Sequence, residues 1–267
     1  MEINFYKYQA GGNDFVIINK NQSFPEESQH IKKICDRRYG VGADGLIIVF
    51  LHKNEIIEFT YYNQDGTPEM CGNGSICTAH FVKNLNLISK EQILLRSLGH
   101  EYQATVTDDK VSLKMQNVQE IKEIGKGFFI NTGAPHYIEF NDEAKLDNNH
   151  TQFINHARSI RNSQFIKSQI GHCNINYVSV INPTEIYIKT YEKGVEDYTP
   201  SCGTGAVAAA LVSARIYEMD TPIKVTSQGG PLEISFNKNG DNIFTDIYLS
   251  GKANFVYKGA INIATKN

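Results

Sequence analysis

Short runs of β-branched and aromatic residues dominate the chain, and they predict strands. Such runs lie at residues 15–18, 46–50 and 57–62. Runs at 93–97, 102–107 and 111–115 predict hairpin strands, with a turn at Asp108-Asp109-Lys110. Further runs lie at 128–131, 176–181, 185–191, 223–226, 232–236 and 243–249, and Asn239-Gly240 is a strong hairpin-turn signal. Helical patterns are fewer. They cover 26–38 and 151–161, and two more begin just after glycine-rich turns near residues 74 and 205. The last contains Ala206-Val207-Ala208-Ala209-Ala210-Leu211-Val212, which is apolar on every side. A helix without a polar face is buried all round. In a chain full of strands, that predicts a helix wrapped by a curved sheet.

The pattern also repeats. Glu58-Phe59-Thr60-Tyr61-Tyr62, a turn and Met70-Cys71-Gly72-Asn73-Gly74 lead into a helix and a strand hairpin. Ile186-Tyr187-Ile188-Lys189-Thr190-Tyr191, a turn and Ser201-Cys202-Gly203-Thr204-Gly205 lead into the same series. Cys71 precedes Gly99 by 28 residues, as Cys202 precedes Gly230. Shared order and spacing predict a duplication, each half presenting one cysteine.

Composition narrows the class. The chain has 267 residues, long enough for two domains, and a net charge of −3. Near-neutral charge argues against a nucleic-acid partner. No apolar run approaches the roughly 18 residues of a membrane span. The opening Met1-Glu2-Ile3-Asn4-Phe5 lacks the basic and apolar regions of a secretory signal, so a cytoplasmic location is expected. The five cysteines, at 35, 71, 77, 173 and 202, are an odd and sparse set. They predict reduced thiols rather than a disulfide framework. Cys71 and Cys77 lack the spacing and His partners of a zinc site, so no metal is expected. Cys35, Cys77 and Cys173 read as small buried hydrophobes.

Cys71 and Cys202 differ from these three because each opens a Cys-Gly-x-Gly turn before a helix. Glycines let the backbone turn sharply and approach a ligand. The first N–H groups of a helix have no intrahelical partner and carry the positive end of its dipole, which makes an anion site. A cysteine placed there has its thiolate stabilised. Two such turns acting on one small anionic substrate suit proton exchange at a carbon beside a carboxylate. One thiolate removes the α-proton, and the other thiol delivers a proton to the opposite face. Donors aimed at the carboxylate stabilise the carbanion without a cofactor. A thiol-based redox or sensing protein using the same pair is the alternative from a different class.

Six ordered motifs resemble those of the diaminopimelate epimerase family, nearly end to end. They are Gly11-Gly12-Asn13-Asp14-Phe15, then Asp36-Arg37-Arg38-Tyr39-Gly40-Val41-Gly42-Ala43-Asp44-Gly45, then Asn63-Gln64-Asp65-Gly66 with Met70-Cys71-Gly72-Asn73-Gly74. Next come Asn131-Thr132-Gly133-Ala134-Pro135-His136, Asn174-Ile175-Asn176-Tyr177, and Glu192-Lys193-Gly194 with Ser201-Cys202-Gly203-Thr204-Gly205. The resemblance implies an α/β (α+β-like) fold of two pseudo-symmetric domains, each a curved, mostly antiparallel sheet around a central helix. The expected domains are 1–117, joined by a returning strand within 252–267, and 118–251. It implies a cofactor-independent isomerase that interconverts LL- and meso-diaminopimelate in lysine and peptidoglycan synthesis, and a homodimer. Cys71 and Cys202 match the acid/base pair. Asn13, Asn63 and Asn174 match groups that hold the substrate's polar atoms. Gly72-Asn73 and Gly203-Thr204 match the carboxylate site, Glu192 a substrate contact, and His136 a residue that tunes the thiols.

Three departures surround that site. Lys193 stands where the family has an arginine that forks onto the distal carboxylate, and lysine is a flexible point charge. Ser75-Ile76-Cys77 lacks an expected arginine. Tyr198-Thr199-Pro200 lacks an acidic residue. A related racemase with another amino-acid substrate is therefore a competing expectation.

Overall fold

The computed structural model describes residues 1–20, 24–52, 55–142 and 150–263. The chain divides into two compact units, Met1–Leu113 with Gly251–Asn267, and Lys114–Ser250.

The first unit runs β1 (Glu2–Ala10), β2 (Asn13–Asn19), α1 (Ser28–Cys35), β3 (Gly45–Leu51), β4 (Ile56–Asn63), β5 (Pro68–Glu69), α2 (Gly72–Asn84), β6 (Gln92–Ser97), β7 (His100–Thr107) and β8 (Lys110–Lys114). The second runs β9 (Ile121–Ile124), β10 (Gly127–Asn131), β11 (Pro135–Phe140), α3 (His150–Asn162), α4 (Gln164–Ile170), β12 (Asn174–Asn182), β13 (Glu185–Tyr191), β14 (Tyr198–Thr199), α5 (Gly203–Ile216), β15 (Ile223–Ser227), β16 (Gly230–Lys238) and β17 (Phe244–Lys252). The last strand, β18 (Asn254–Asn262), returns to pair antiparallel with β1 in the first unit. Ala264, where the expected returning strand was to end, lies outside the described residues.

Strand pairing repeats between the units. In the first, β1–β2 is antiparallel, β2–β3 parallel, β3–β4 antiparallel, β4–β6 parallel, and β6–β7–β8 antiparallel. In the second, β10–β11 is antiparallel, β11–β12 parallel, β12–β13 antiparallel, β13–β15 parallel, and β15–β16–β17 antiparallel. β9 flanks β10 as β18 flanks β1. Each parallel step needs a crossover, and helices supply it. The register then sets equivalent residues. Phe15 lies beside Gly45, and Ile47 beside Tyr61. His136 lies beside Asn174, and Asn176 beside Thr190.

The two crossover helices that carry the cysteine turns are cores rather than coats. In α5, Gly205–Ala214 is buried throughout, against β10–β13, β15 and β16. In α2, Gly72–Ala79, Phe81 and Val82 are buried, against β1–β3, β6 and β7. Small residues let the strands approach α5 from all sides.

Some elements differ from expectation. α1 is Ser28–Cys35 rather than 26–38. Asp36 leaves the helical region, and its Oδ1 accepts the N–H groups of Arg38 and Tyr39, each at 2.7 Å. Such a side-chain turn competes with another helical turn. β1 carries Lys7 on a buried position, where it pairs with Asp14 at 2.7 Å. β11 opens with Pro135 and buries His136, so its run is not apolar. No helix among the described residues is long and apolar enough to cross a membrane.

A clamp holds the segment between β13 and β14. Glu196, at φ 61°, accepts hydrogen bonds from the Gly194 N–H at 3.2 Å, the Tyr191 hydroxyl at 3.0 Å and the buried Arg161 guanidinium. Arg161 holds the Glu196 carboxyl down at about 2. An ordinary Glu sits near about 4.3, so this contribution is complete above about pH 4.3 and is lost as pH falls toward the folded value. Glu196→Gln is expected to cost about 1 kcal/mol at pH 7, since the carboxylate is half in solvent. In urea melts the gap to wild type should narrow toward pH 3, and an equal gap at both pH values would refute the clamp. Ala209→Leu in α5 should cost about 1–3 kcal/mol in the same melts, because no strand around it can give way freely.

Candidate active site

Both cysteines stand at the N-cap of a helix with nearly the same backbone angles. Cys71 is the N-cap of α2 at φ −134°, ψ 115°, and Cys202 is the N-cap of α5 at φ −131°, ψ 108°. This extended backbone lets each side chain fold back toward the helix start. The Cys71 Sγ accepts the Gly74 N–H at 3.3 Å. The Cys202 Sγ lies 3.6 Å from the Thr204 Oγ1. Both thiols are half-buried, while Cys35, Cys77 and Cys173 are fully buried, and none of the five is in a disulfide. Burial pushes the Cys35 thiol up to about 12 and Cys173 to about 11, and it raises Cys77 well above the usual range. Such thiols are inert as nucleophiles or bases near neutral pH.

In the first unit, Asn13 opens β2 after a turn whose glycines, Gly11 and Gly12, take φ of 59° and 75°. Its Oδ1 is buried without a partner among the described residues, as is the Asn73 Oδ1 at the start of α2. Buried unpaired acceptors are uncommon away from ligand sites. The neighbouring Asp14 locks this turn. Its carboxylate takes Arg37 Nη2 at 2.7 Å, Nη1 at 3.1 Å, Lys7 at 2.7 Å and the Asp44 N–H at 3.0 Å. Burial works to raise the Asp14 carboxyl, but hydrogen bonds and charge from Arg37 and Lys7 outweigh it and hold it well below the usual range. Asn63 ends β4 beside Gly45. Its Oδ1 accepts the Tyr61 hydroxyl at 2.9 Å, and its Nδ2 donates to Glu69 at 3.0 Å. A Cβ at Gly45 would sit 2.2 Å from the Tyr61 ring, so the glycine gives that tyrosine its place.

In the second unit, Asn174 is bonded to Lys193, and His136 to Thr204 and through it to Cys202. Asn174 is buried, and its Oδ1 accepts the Lys193 N–H at 2.8 Å. The Lys193 side chain is exposed. The Glu192 N–H donates to the Asp197 carbonyl at 3.0 Å. His136 is fully buried, with Nε2 2.9 Å from the Thr204 Oγ1. Burial drives its pKa down to about 3, so the ring is neutral at working pH. The Thr204 carbonyl accepts the Thr132 hydroxyl at 2.8 Å, which ties the β10–β11 turn to α5.

Sequence reasoning did not single out several groups that shape this geometry. Asn176 and Thr190 stand fully inside the sheet beside His136 and Gly205. Asn176 was visible inside its motif, two residues from Asn174 and therefore on the same strand face. Tyr61, Glu69 and Glu196 carried no local signal of their own. Each matters through a partner distant in sequence or held by a turn.

The model of the diaminopimelate epimerase family matches residues 5–121 and 128–256. A diaminopimelate epimerase of Flavobacterium psychrophilum is 42% identical over 260 residues, covering 96% of this chain and 99% of that protein. One of Campylobacter jejuni is 32% identical over 266 residues, covering 97% and 99%. Among solved structures, a phenazine biosynthesis protein of the PhzF family from Bacillus anthracis superposes with TM-score 0.76 at 14% identity, covering 98% of this chain and 100% of that one. A hydroxyproline epimerase from Agrobacterium vitis superposes at 0.69 with 11% identity, covering 97% and 92%. At such identity these structures speak for the fold alone: two similar halves of mixed α/β structure with curved sheets around central helices. By its sequence, this chain belongs to the diaminopimelate epimerase family.

Proposed function

We propose that this chain is an isomerase that interconverts LL- and meso-diaminopimelate by proton transfer at the α-carbon, a step in lysine and peptidoglycan precursor synthesis. The observation that carries the reading is the matched pair of N-cap cysteines, which have nearly the same backbone angles at the start of two buried helices. Membership of the family supplies the substrate. In this reading one of Cys71 and Cys202 is a thiolate and takes the α-proton. The other is a thiol and gives its proton to the opposite face. The substrate leaves inverted, with the two sulfurs having exchanged protonation states. The carbanion between these steps needs donors at its carboxylate. The leading N–H groups of α2 and α5, at Gly72-Asn73 and Gly203-Thr204, suit that task. Asn13, Asn63, Asn174 and Glu192 would hold the remaining polar atoms. Buried, neutral His136 acts on the Cys202 side through Thr204.

A second reading, a racemase for another amino acid, draws on Lys193. It keeps the charge of the family's arginine but not the planar fork that grips a carboxylate. One assay addresses both readings. Reduced protein in D2O should incorporate deuterium at the α-carbon of LL- and meso-diaminopimelate. Cys71→Ala and Cys202→Ala should each lower turnover by about a hundredfold to ten-thousandfold. Exchange on another amino acid but not on diaminopimelate selects the second reading, and no exchange on any amino acid overturns both. If Lys193 meets the distal carboxylate, Lys193→Arg lowers KM for diaminopimelate.

We also propose that the chain forms a homodimer. β18 bonds only to β1 among the described residues, and Phe255, Val256 and Tyr257 on it are 43%, 52% and 43% exposed. A long edge strand with apolar side chains in water invites a partner strand. Light scattering after size exclusion should give about twice the 30.0 kDa of one chain. Val256→Lys should shift it toward the single-chain mass, and a wild-type monomer at micromolar concentration would refute the proposal.

A further inference from the structure

The duplicated frame is not chemically duplicated around its two cysteines. Phe15, Ile47 and Tyr61 in the first unit occupy the register positions of His136, Asn176 and Thr190 in the second. The first trio packs as hydrocarbon and rings, with Phe15 and Tyr61 in an edge contact at 5.7 Å. The second is a buried polar chain. The same frame thus accepts apolar Phe15 and Ile47 where the second unit has His136 and Asn176, and a buried polar group costs stability unless it is fully bonded.

Hydrogen-bond chemistry fixes the direction of that chain. The Tyr137 carbonyl only accepts, so the Asn176 atom 3.1 Å from it is Nδ2. Nδ2 also lies 3.1 Å from the His136 Nδ1 and must donate there. The Asn176 Oδ1 accepts the Thr190 hydroxyl at 2.9 Å. With Nδ1 accepting, the proton of a neutral His136 sits on Nε2, which donates to the Thr204 Oγ1 at 2.9 Å. The Thr204 hydroxyl hydrogen is left to point at the Cys202 Sγ, 3.6 Å away. Every donor from Thr190 onward points toward the sulfur. Gly205 makes room for this path. A Cβ there would lie 2.8 Å from the Asn176 Oδ1, 3.1 Å from the Thr190 Oγ1 and 3.2 Å from the Cys202 Sγ. At Gly74 the corresponding Cβ would meet the Cys71 Cβ and Ile47 Cδ1 at 3.3 and 3.4 Å.

We infer that Asn176 and Thr190 are positioning residues for Cys202: they fix the His136 proton on Nε2 and, through it, aim the Thr204 hydroxyl at the Cys202 sulfur, favouring its thiolate. The inference rests on the reading of Cys202 as an acid/base group, and it makes the two sulfurs chemically unequal. The Cys202 sulfur has a side-chain relay behind it; the Cys71 sulfur accepts the Gly74 N–H, and Ile47 stands where the second unit has Asn176.

The test does not need the substrate. Long-range ¹H–¹⁵N spectra of the full chain with labelled histidine should show His136 as the Nε2–H tautomer. In Asn176→Leu, a variant of similar shape, the Nδ1–H tautomer should appear. Alkylation of Cys202 by iodoacetamide at pH 7, read by peptide mass spectrometry, should slow by about three- to tenfold, with Cys71 in the same sample unchanged. Thr190→Val should give a smaller change with the same selectivity. Thr204→Val should match Asn176→Leu, and its half-buried site keeps the test open if Asn176→Leu does not fold. An Nδ1–H tautomer in wild type, or Cys202 and Cys71 rates that stay the same or fall together in folded variants, overturns the inference. With diaminopimelate, kcat should fall in these variants more than KM rises. Wild type that shows the tautomer and the selective alkylation but no α-carbon exchange leaves the relay standing and removes the epimerase reading.

Discussion

A helix that begins in the interior of a sheet brings N–H groups that its own backbone cannot satisfy, and much else in each unit answers that constraint. Gly72 and Gly203 are buried at the first positions of α2 and α5. An extended residue before them turns its side chain back across the helix start, and in both units that residue is cysteine. Burial of the helix on all sides then dictates its composition. α5 uses alanine at 206, 208, 209, 210 and 214, and strands from both ends of its sheet reach it. The parallel steps have the same origin, because only a crossover can carry the chain from β4 to β6, or from β13 to β15, through the space the sheet encloses.

The repeat is complete only when the last strand is included. β9 precedes β10 in the chain and flanks it, whereas β1 is flanked by β18 from the far end of the sequence. β18 thus does for β1 what β9 does for β10. The N-terminal amino group, bonded to the Ile263 carbonyl at 2.8 Å, fixes the same closure. The two units are therefore one duplicated pattern, and the first draws its strands from both ends of the sequence.

Local signals explain why some elements are legible from residues alone. The apolar strands, the buried α5 and the two cysteine turns announce themselves through periodicity, composition and a four-residue turn. β1, β9 and β11 do not, because each depends on a partner. Lys7 is tolerated in β1 only because Asp14 and the Gly42 carbonyl meet its ammonium. His136 is tolerated in β11 only because Asn176 and Thr204 take both ring nitrogens. The end of α1 hangs on the side chain of Asp36. The returning strand came from family resemblance and not from its own pattern, since β18 is largely exposed and lacks a clear alternation. For the proposed site, motif order singled out the cysteine turns, the asparagines, Glu192 and His136. It included Asn176 in a motif without giving it a role and was silent on Thr190, which reads in sequence as an ordinary strand residue.

The contrast between the two units explains why those residues matter. A duplicated fold is its own control: the same backbone, register and helix start occur twice, and only side chains differ. Phe15 and Ile47 show that the frame accepts apolar side chains at two of these positions. Folding therefore does not require His136 and Asn176 to be polar. Burial even works against them, holding the imidazole neutral with a pKa of about 3. A neutral imidazole carries no charge to steady a thiolate, but it relays direction, because one ring nitrogen must accept where the other donates. Two sulfurs in twin frames then need not be twins in chemistry. Under the proposed mechanism, an acid/base pair that must begin each turnover with one thiol and one thiolate would gain from that inequality, because the inferred relay would bias which sulfur holds the proton before substrate arrives.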